Sequence, residues 1–335
     1  MSEDHQIDER REHQHHHKHH HRNHRKHTFR NIILTIIGLL VVAGVVFAGI
    51  AWKNLSSTTS GMYQKSGATE KRDASSVLSG KKPVSILLLG TDTGDLGRDY
   101  KGRTDTMILM TINPKTKKTT MTSIPRDMYV NLPDYPQYSP AKINAAYAFG
   151  GVKESINVVQ KYFDVPVDYY VLVNMGGLKK AINQVGGVDV TSPLTFTYNG
   201  SSFTEGQKQH MNGETALNFS RMRHEDPRGD YGRQERQRLV ITALLRKSIS
   251  YKTVLNKSFL NSISSQSKTD LTFSQMTKLA LNYRGAAKTV KSDNVQGTGK
   301  MISGQSFQMV STTERQKVSN TIRDNLGLKR VEIGD

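Results

Sequence analysis

The sequence contains no cysteine, and its 335 residues include one tryptophan and nine prolines. Without cysteine the chain has no disulfide bond, no thiol nucleophile and no cysteine-ligated zinc. Acidic residues are also scarce: 29 Asp and Glu stand against 47 Lys and Arg, which gives a formal net charge of +18. This excess favours an anionic partner, and it leaves nucleic acid, an acidic membrane surface and a phosphate-rich substrate open.

After the first 30 residues histidine is almost absent: the rest of the chain has only His210 and His224. The other histidines fall within residues 1–30, among arginines and lysines at irregular spacing. Such a segment has too few apolar residues to form a core, and its irregular spacing defines no metal site. We predict a disordered tail for residues 1–30.

A long hydrophobic run follows this tail. Residues 31–52 include Ile32–Trp52, which carries no charged side chain. At about 1.5 Å per residue this run covers roughly 30 Å, the thickness of a bilayer core. Basic residues precede it, so the N-terminus should stay in the cytoplasm. A cleaved signal peptide is the alternative, but the run is longer than a typical signal core. We predict a single-pass membrane anchor with an extracellular C-terminal domain.

The rest of the chain divides into a predicted linker and a folded domain. Residues 53–82 are rich in Ser, Thr, Gly and Lys, which predicts a flexible linker. In residues 83–335, strand patterns alternate with helix patterns, which predicts an α/β or α+β domain with a central sheet. The predicted strands are Val84–Leu89, Thr106–Asn113, Thr119–Ser123 and Tyr169–Asn174. The predicted helices are Ile143–Phe149, Val152–Phe163, Leu178–Val185, Gly213–Phe219, Tyr231–Ile249, Phe273–Tyr283 and Ser311–Leu326.

The segment Phe219–Arg238 contains six arginines and no lysine. Guanidinium groups bind planar oxyanions through two parallel hydrogen bonds, which a lysine cannot do. Arg221 and Arg223 share a face if the backbone is extended, and Arg233 and Gln237 share a face of the following helix. This pattern indicates a phosphate or pyrophosphate site. A solvated helix face with interspersed acidic residues is the alternative.

Acidic and basic residues also lie at the ends of the predicted strands. Asp92 ends the first strand, Asp105 begins the second, and Arg126 follows the third behind Pro125. Strand ends are where α/β sheets usually place ligands. Two carboxylates brought together there favour a shared Mg²⁺, although each of them alone could cap a turn or pair with an arginine. Lys142 is predicted at the start of the next helix, where an anion would be drawn.

The ordered motifs ILLLGTD, GRTDTMILMTINP, TSIPRD, KINAAYAFGG and SRMR…RQERQ resemble the LytR–CpsA–Psr family of Gram-positive bacteria. The resemblance covers most of residues 83–249. It implies a three-layer α/β/α sandwich with a mixed sheet. It also implies a phosphotransferase that moves a glycopolymer, such as wall teichoic acid or capsule, from an undecaprenyl-pyrophosphate carrier onto peptidoglycan. The prenyl chain requires an apolar groove, which no motif identifies.

The resemblance assigns roles to individual residues. Asp92 and Asp105 match the aspartates that bind Mg²⁺ (or Mn²⁺). The residues implied in pyrophosphate binding are Arg103, Arg126, Lys142, Arg221, Arg223, Arg233 and Gln237, and the implied catalytic residues are Asp92, Asp105, Arg126, Arg221 and Arg233. One departure is Gly94, where many members have an arginine.

Two alternatives belong to other functional classes. A membrane-bound regulator of cell-envelope genes fits the basic charge, but the arginine cluster lies beyond the predicted anchor, on the opposite side of the membrane from DNA. A non-catalytic lipid-pyrophosphate binder would keep the arginines without needing two aspartates. We therefore expect a transferase whose partners are the lipid-linked glycopolymer, peptidoglycan and the cell membrane, and not nucleic acid.

Overall fold

A computed structural model describes residues 61–91, 102–248 and 257–334, which all belong to one compact unit. The predicted tail, the predicted anchor and the first residues of the predicted linker lie outside these ranges. Among the helices of the described ranges, none has the length and apolar character needed to cross a bilayer. The anchor at 31–52 therefore stays a prediction.

The segment before the first strand differs from the predicted flexible linker. From residue 61 onward the chain packs on the domain, and helix α1 (Ala74–Ser79) buries Leu78. Arg72 binds the carboxylate of Asp168 through two hydrogen bonds, Nε–Oδ1 at 2.7 Å and Nη2–Oδ2 at 2.5 Å. Because these partners lie 96 positions apart, the local composition could not reveal the contact.

A mixed six-stranded sheet forms the centre of the domain. Its strands are β1 (Val84–Thr91), β2 (Thr104–Asn113), β3 (Lys118–Ser123), β6 (Tyr169–Asn174), β11 (Ser267–Thr269) and β12 (Thr289–Asn294). Their order is β11-β6-β1-β2-β3-β12. The β1–β2, β2–β3 and β6–β11 pairs are antiparallel, whereas β1–β6 and β3–β12 are parallel. The predicted central mixed sheet is confirmed.

Helices cover both faces of this sheet. On one face, Leu87 and Leu89 pack with helices α2 (Ala145–Phe163) and α8 (Thr312–Leu326). On the other face, Ile86 packs with α1, α5 (Asp230–Ser248) and α7 (Phe273–Asn282). Successive side chains of a strand point to opposite faces, so a strand buried on both sides is apolar throughout. This explains the continuous apolar run of β1.

Smaller elements complete the unit around the sheet. The short strands are β4 (Tyr129–Val130), β5 (Ala141–Lys142), β7 (Val188–Thr191), β8 (Phe196–Tyr198), β9 (Ser201–Phe203), β10 (Lys208–Met211), β13 (Thr298–Ile302) and β14 (Gln305–Met309). The further helices are α3 (Met175–Gln184), α4 (Gly213–Arg221) and α6 (Lys257–Ser264), with 3-10 turns at Pro136–Tyr138 and Arg284–Lys288.

One local prediction is confirmed and one differs from the structure. The two helices predicted around Gly150–Gly151 are present, because the helical backbone of α2 is interrupted at Gly151, whose φ of 68° and ψ of −150° are not helical. Lys142 does not begin this helix but lies on β5, where it pairs with Tyr129. Asn144 precedes the helix instead. A two-residue strand is too short to leave a periodic pattern in the sequence.

Candidate functional site

The ends of three neighbouring strands meet at one edge of the sheet. Thr91, the last residue of β1, is aligned with Thr104, the first residue of β2, and with Asn174 at the end of β6. Asp105 is the second residue of β2, and Arg126 comes three residues after the end of β3. The arrangement of strand ends predicted from the sequence is therefore present for these two residues.

Arg126 is the centre of an ion-pair network at this edge. Its Nη1 donates to Asp105 Oδ1, and its Nε lies 3.6 Å from Asp127 Oδ2 and 3.8 Å from Asp230 Oδ1. Burial alone lowers the pKa of Arg126, but the carboxylates of Asp105, Asp230 and Asp127 outweigh it, so the net pKa is raised. These carboxylates fix the guanidinium at the sheet edge.

Lys142 joins the same network through Asp127. Its Nζ lies 2.9 Å from Asp127 Oδ1, and it lies 5.7 Å from the centre of the Phe307 ring. Its position depends on the β4–β5 pair, in which Tyr129 faces Lys142. The lysine is thus held beside Arg126 by the backbone of a short hairpin.

Arg233 reaches the network from helix α5. Its Nη2 lies 2.7 Å from Asp230 Oδ1 and donates to the Asp105 carbonyl oxygen at 3.2 Å. Burial lowers the pKa of Arg233, and attraction to Asp230 offsets this only in part because Arg126 and Arg223 repel it. An arginine stays charged in any case. The lowered pKa has burial as its main cause, so Arg233 is a charged group that is largely removed from solvent.

Two donors in this cluster lack a hydrogen-bond acceptor among the described residues. They are Arg126 Nε and Arg233 Nε, both inaccessible to solvent. Buried N–H groups are rarely left unpaired, because an unmade hydrogen bond costs about 1–3 kcal/mol. Each of the two guanidinium groups therefore retains one hydrogen-bond donor that no described residue uses.

The remaining predicted residues lie around this cluster. Arg223 is half-buried and close enough to Arg233 to shift its pKa. Arg221 is half-buried and is the last residue of helix α4, so the extended backbone expected for Arg221 and Arg223 is not observed. Arg103 is exposed and directly precedes β2. Gln237 is buried one helical turn after Arg233.

The predicted metal site is described only on one side. Asp92 lies outside the described residues, and Asp105 is half-buried with one oxygen bound to Arg126. Within the described ranges, this edge included, no group of three or more His, Asp or Glu side chains is placed to hold a metal. A carboxylate is the hard oxygen ligand that Mg²⁺ requires, so Asp105 fits this role. The shared site with Asp92 stays a prediction.

Three of the six arginines have structural contacts instead. Arg236 is fully buried, and its donors reach Asp226 Oδ2 and the carbonyl oxygens of Phe219 and Met222. Arg238 is buried and donates to a serine hydroxyl of β3, and exposed Arg228 pairs with Asp226 and Glu235. The solvated helix face considered as an alternative is therefore wrong for Arg233, Arg236 and Arg238, which are all buried.

An apolar cavity of about 290 Å³ adjoins the cluster. It lies between the sheet and helix α5, and Gln237 on α5 is part of its wall. Its apolar lining includes Leu88, Val171, Val173, Val240, Ile241 and Leu244. The other polar residues of its wall are Thr106, Asn174, Ser220 and Ser248. An elongated hydrocarbon could be buried here with a polar head group at Arg233.

Known proteins with similar sequences identify the family of this chain. The profile of the LytR_cpsA_psr family matches residues 50–324. The chain belongs to the LytR–CpsA–Psr family. A curated relative, the polyisoprenyl-teichoic acid–peptidoglycan teichoic acid transferase TagU of Enterococcus faecalis, is 43% identical over 302 residues, which cover 90% of this chain and 99% of TagU. The TagU protein of Bacillus subtilis is 38% identical, covering 88% of this chain and 94% of its own length.

Solved structures of the LytR–CpsA–Psr family have the same fold. The crystal structure of B. subtilis TagU matches with a TM-score of 0.60 at 35% identity, over 75% of this chain and 100% of TagU. A structure described as TagT bound to LI-WTA matches with a TM-score of 0.63 at 28% identity, over 78% of this chain and 95% of TagT. The family resemblance stated from the motifs is confirmed.

Two acidic residues of this LytR–CpsA–Psr site were not predicted. Asp127 holds Lys142, and Asp230 holds Arg233. Asp127 belongs to the motif TSIPRD, and Asp230 is the first residue of α5, where an acidic side chain favours the helix N-terminus. That local role hides the second role of Asp230, since its contact with Arg126 depends on tertiary packing.

Proposed function

We propose that this protein transfers a glycopolymer, such as wall teichoic acid, from an undecaprenyl-pyrophosphate carrier onto peptidoglycan. The observation that carries this proposal is that helix α5 contributes to both a candidate head-group site and a candidate tail site. Arg233 belongs to the cationic cluster, and Gln237, one turn later on the same helix, lines the apolar cavity. A lipid pyrophosphate needs both environments at this spacing. The names of the relatives from E. faecalis and B. subtilis support the same activity.

The proposed reaction is a displacement at phosphorus. An acceptor hydroxyl oxygen forms a bond to the sugar-linked phosphorus while the bond from that phosphorus to the bridging oxygen breaks. The electron pair leaves with undecaprenyl phosphate, and the hydroxyl proton passes to a carboxylate of the site, for which Asp92, Asp105 and Asp127 are the candidates. Arg126 and Arg233 stabilise the charge that develops on the phosphoryl oxygens, the role that fixed guanidinium groups have in phosphoryl transfer.

A divalent cation would add to this stabilisation. Mg²⁺ or Mn²⁺ held by Asp105 and Asp92 supplies positive charge to the pyrophosphate when bound. The residues of the chain carry out the rest: Arg126, Lys142 and Arg233 orient the head group, and the apolar cavity excludes water from the prenyl chain. Arg103, Arg221, Arg223 and Gln237 are proposed to complete the pyrophosphate contacts.

The test compares two substitutions on one helix in the full-length chain purified in detergent. Arg233→Lys keeps the charge but removes the paired donors, and the loss of one charge-assisted contact costs about 1.5–3 kcal/mol, roughly 10- to 100-fold in transfer rate. Arg246→Lys is the matched control, because Arg246 is exposed in the last turn of α5. Transfer is measured as saccharide attached to peptidoglycan from a lipid-pyrophosphate saccharide with Mg²⁺. Equal rates for the two folded variants would refute the role of Arg233.

The same proposal requires the domain to lie outside the cell membrane. We propose a single-pass topology in which residues 31–52 cross the membrane and the N-terminus is cytoplasmic. Protease added to wall-stripped cells should digest the region after Lys53 and leave an N-terminal tag intact. Digestion of the tag with protection of the C-terminus would place the domain on the wrong side for peptidoglycan.

A further inference from the structure

Two exposed aromatic rings are stacked on each other beside the site. Tyr138 is 52% exposed and Phe149 is 37% exposed, and their ring centres lie 4.4 Å apart with an interplanar angle of 9°. Tyr135 supports Phe149 from below, with ring centres 6.1 Å apart. We call Tyr135, Tyr138 and Phe149 the aromatic platform. Exposed apolar surface of this kind commonly marks a binding site.

The glycines of the AFGG sequence shape this platform. A Cβ atom on Gly150 would lie 2.6 Å from the Tyr135 ring and 2.4 Å from Glu154 Cβ, so only glycine lets the ring pack here. Gly151 has a φ of 68°, which bends α2 directly after Phe149. The motif that follows Lys142 is therefore used to present the aromatic rings.

The platform is attached to the site by short pieces of backbone. Tyr138 precedes Lys142 by four residues, which span at most about 14 Å. Phe149 follows Asn144 by five residues, about 7.5 Å along a helix axis. The Asn144 N–H donates to the Arg126 carbonyl oxygen at 3.2 Å. A short saccharide bound at the phosphate cluster can reach the platform.

The platform and the apolar cavity lie on opposite faces of the sheet. Tyr135 packs against the core of Leu87, Leu89 and α2, whereas the cavity lies on the face of Ile86 and Leu88 under α5. In a displacement at phosphorus the attacking and leaving oxygens are roughly in line. If the leaving prenyl phosphate extends into the cavity, the attacking hydroxyl comes from the other side, where the platform lies.

We propose that the aromatic platform binds the sugar rings of the acceptor, a glycan strand of peptidoglycan, and presents its hydroxyl to the phosphate. This inference rests on the proposed function. Aromatic faces pack against the C–H faces of pyranose rings, and polar side chains around them bind the hydroxyl groups. Gln137, next to Tyr138 in the chain, is exposed, and Asp134, next to Tyr135, is held by Lys153 at 2.8 Å. Aromatic rings with this polar border suit an uncharged saccharide.

The experiment measures the two substrates separately in the full-length chain. We expect Tyr138→Ala and Phe149→Ala to raise KM for a soluble peptidoglycan glycan chain by about tenfold, while KM for the lipid-linked donor and kcat at saturating acceptor stay unchanged. Phe149→Tyr keeps an aromatic face and should behave as wild type. Tyr63→Ala is the matched control, since Tyr63 is 47% exposed and belongs to no part of the site.

Each outcome separates the platform from the proposed function. Hydrolysis of the lipid-linked donor by water, with no glycan added, should be equal in wild type and platform variants. If the wild type consumes no donor even when the glycan acceptor is present, the proposed function itself is refuted. A rise in KM for the donor alone would mean that the platform binds the donor saccharide, which overturns the proposal. An unchanged KM for the acceptor in both folded alanine variants would overturn it too.

Discussion

Replacement of Arg236 by methionine should destabilise the domain more than any change at an exposed arginine. Arg236 is fully buried, and its Nε donates to the Phe219 carbonyl oxygen at 3.0 Å, while its other nitrogens bind Asp226 and the Met222 carbonyl. Methionine fills much of the volume but leaves a buried carboxylate and two carbonyl oxygens without these donors. Breaking a buried pair from one side costs about 3–5 kcal/mol.

The assay is thermal unfolding of the purified full-length chain, followed by circular dichroism. For a domain of this size, 1 kcal/mol corresponds to roughly 2–4 °C, so Arg236→Met should lower Tm by about 6–20 °C. Arg228→Met is the matched control. Arg228 contacts the same Asp226 carboxylate at 3.3 Å, but its side chain is 48% exposed. Exposed pairs contribute about 0–1 kcal/mol, so this variant should change Tm only slightly.

The dependence on pH gives the same prediction a second test. Burial raises the pKa of Asp226, but hydrogen bonds from the Arg228 N–H and from Arg236 outweigh it, so the net pKa is lowered. The stabilisation is therefore complete above the unfolded pKa of about 3.9 and is lost as pH falls through the folded value. The difference between wild type and Arg236→Met should shrink in acid. If the Tm of Arg236→Met at pH 7 lies within about 2 °C of the wild-type Tm, the reasoning is refuted.

Three further substitutions test other carboxylates. Burial raises the pKa of Asp270 from 3.8 to about 6, so the folded state loses stability as pH rises between these values. Asp270→Asn should therefore be more stable than wild type at pH 7 by up to about 3 kcal/mol, but not at pH 4. Equal melting curves at pH 7 would contradict this. Asp105→Asn and Asp92→Asn should each slow transfer and abolish its dependence on Mg²⁺. The measurement is the transfer rate as a function of Mg²⁺ concentration. Unchanged activity in excess chelator would remove the metal from the reaction.

Much of the sheet could be predicted because its strands are long and strongly patterned. The strand predicted at Val84–Leu89 is observed as Val84–Thr91, and the strand predicted at Thr119–Ser123 as Lys118–Ser123. The helix predicted at Tyr231–Ile249 is observed from Asp230 to Ser248. The apolar run of β1, the β-branched threonines of β3 and the long stretch without proline in α5 indicate these elements from local sequence. The order of the motifs then placed Asp105 and Arg126 at one sheet edge.

Contacts between distant parts of the chain could not be predicted in this way. Six arginines in one segment have similar local surroundings, and their positions in the sequence do not show which of them are buried. Arg238 meets Ser123, 115 positions away, and Arg233 meets the carbonyl of Asp105, 128 positions away. Packing against the sheet decides which of these arginines are buried, and the packing depends on residues outside the segment.

The absence of lysine from this segment has two physical reasons rather than the one first inferred. The first reason stays a proposal: Arg233 would provide paired donors to an oxyanion. Arg236 instead binds acceptors in different directions: Asp226, and the carbonyls of Phe219 and Met222 at the end of α4, where helix carbonyls lack partners. A lysine, with its compact ammonium, could not span these three acceptors. Arg236 thus holds the loop after α4 against α5. This loop contains Arg223 and places it near Arg233.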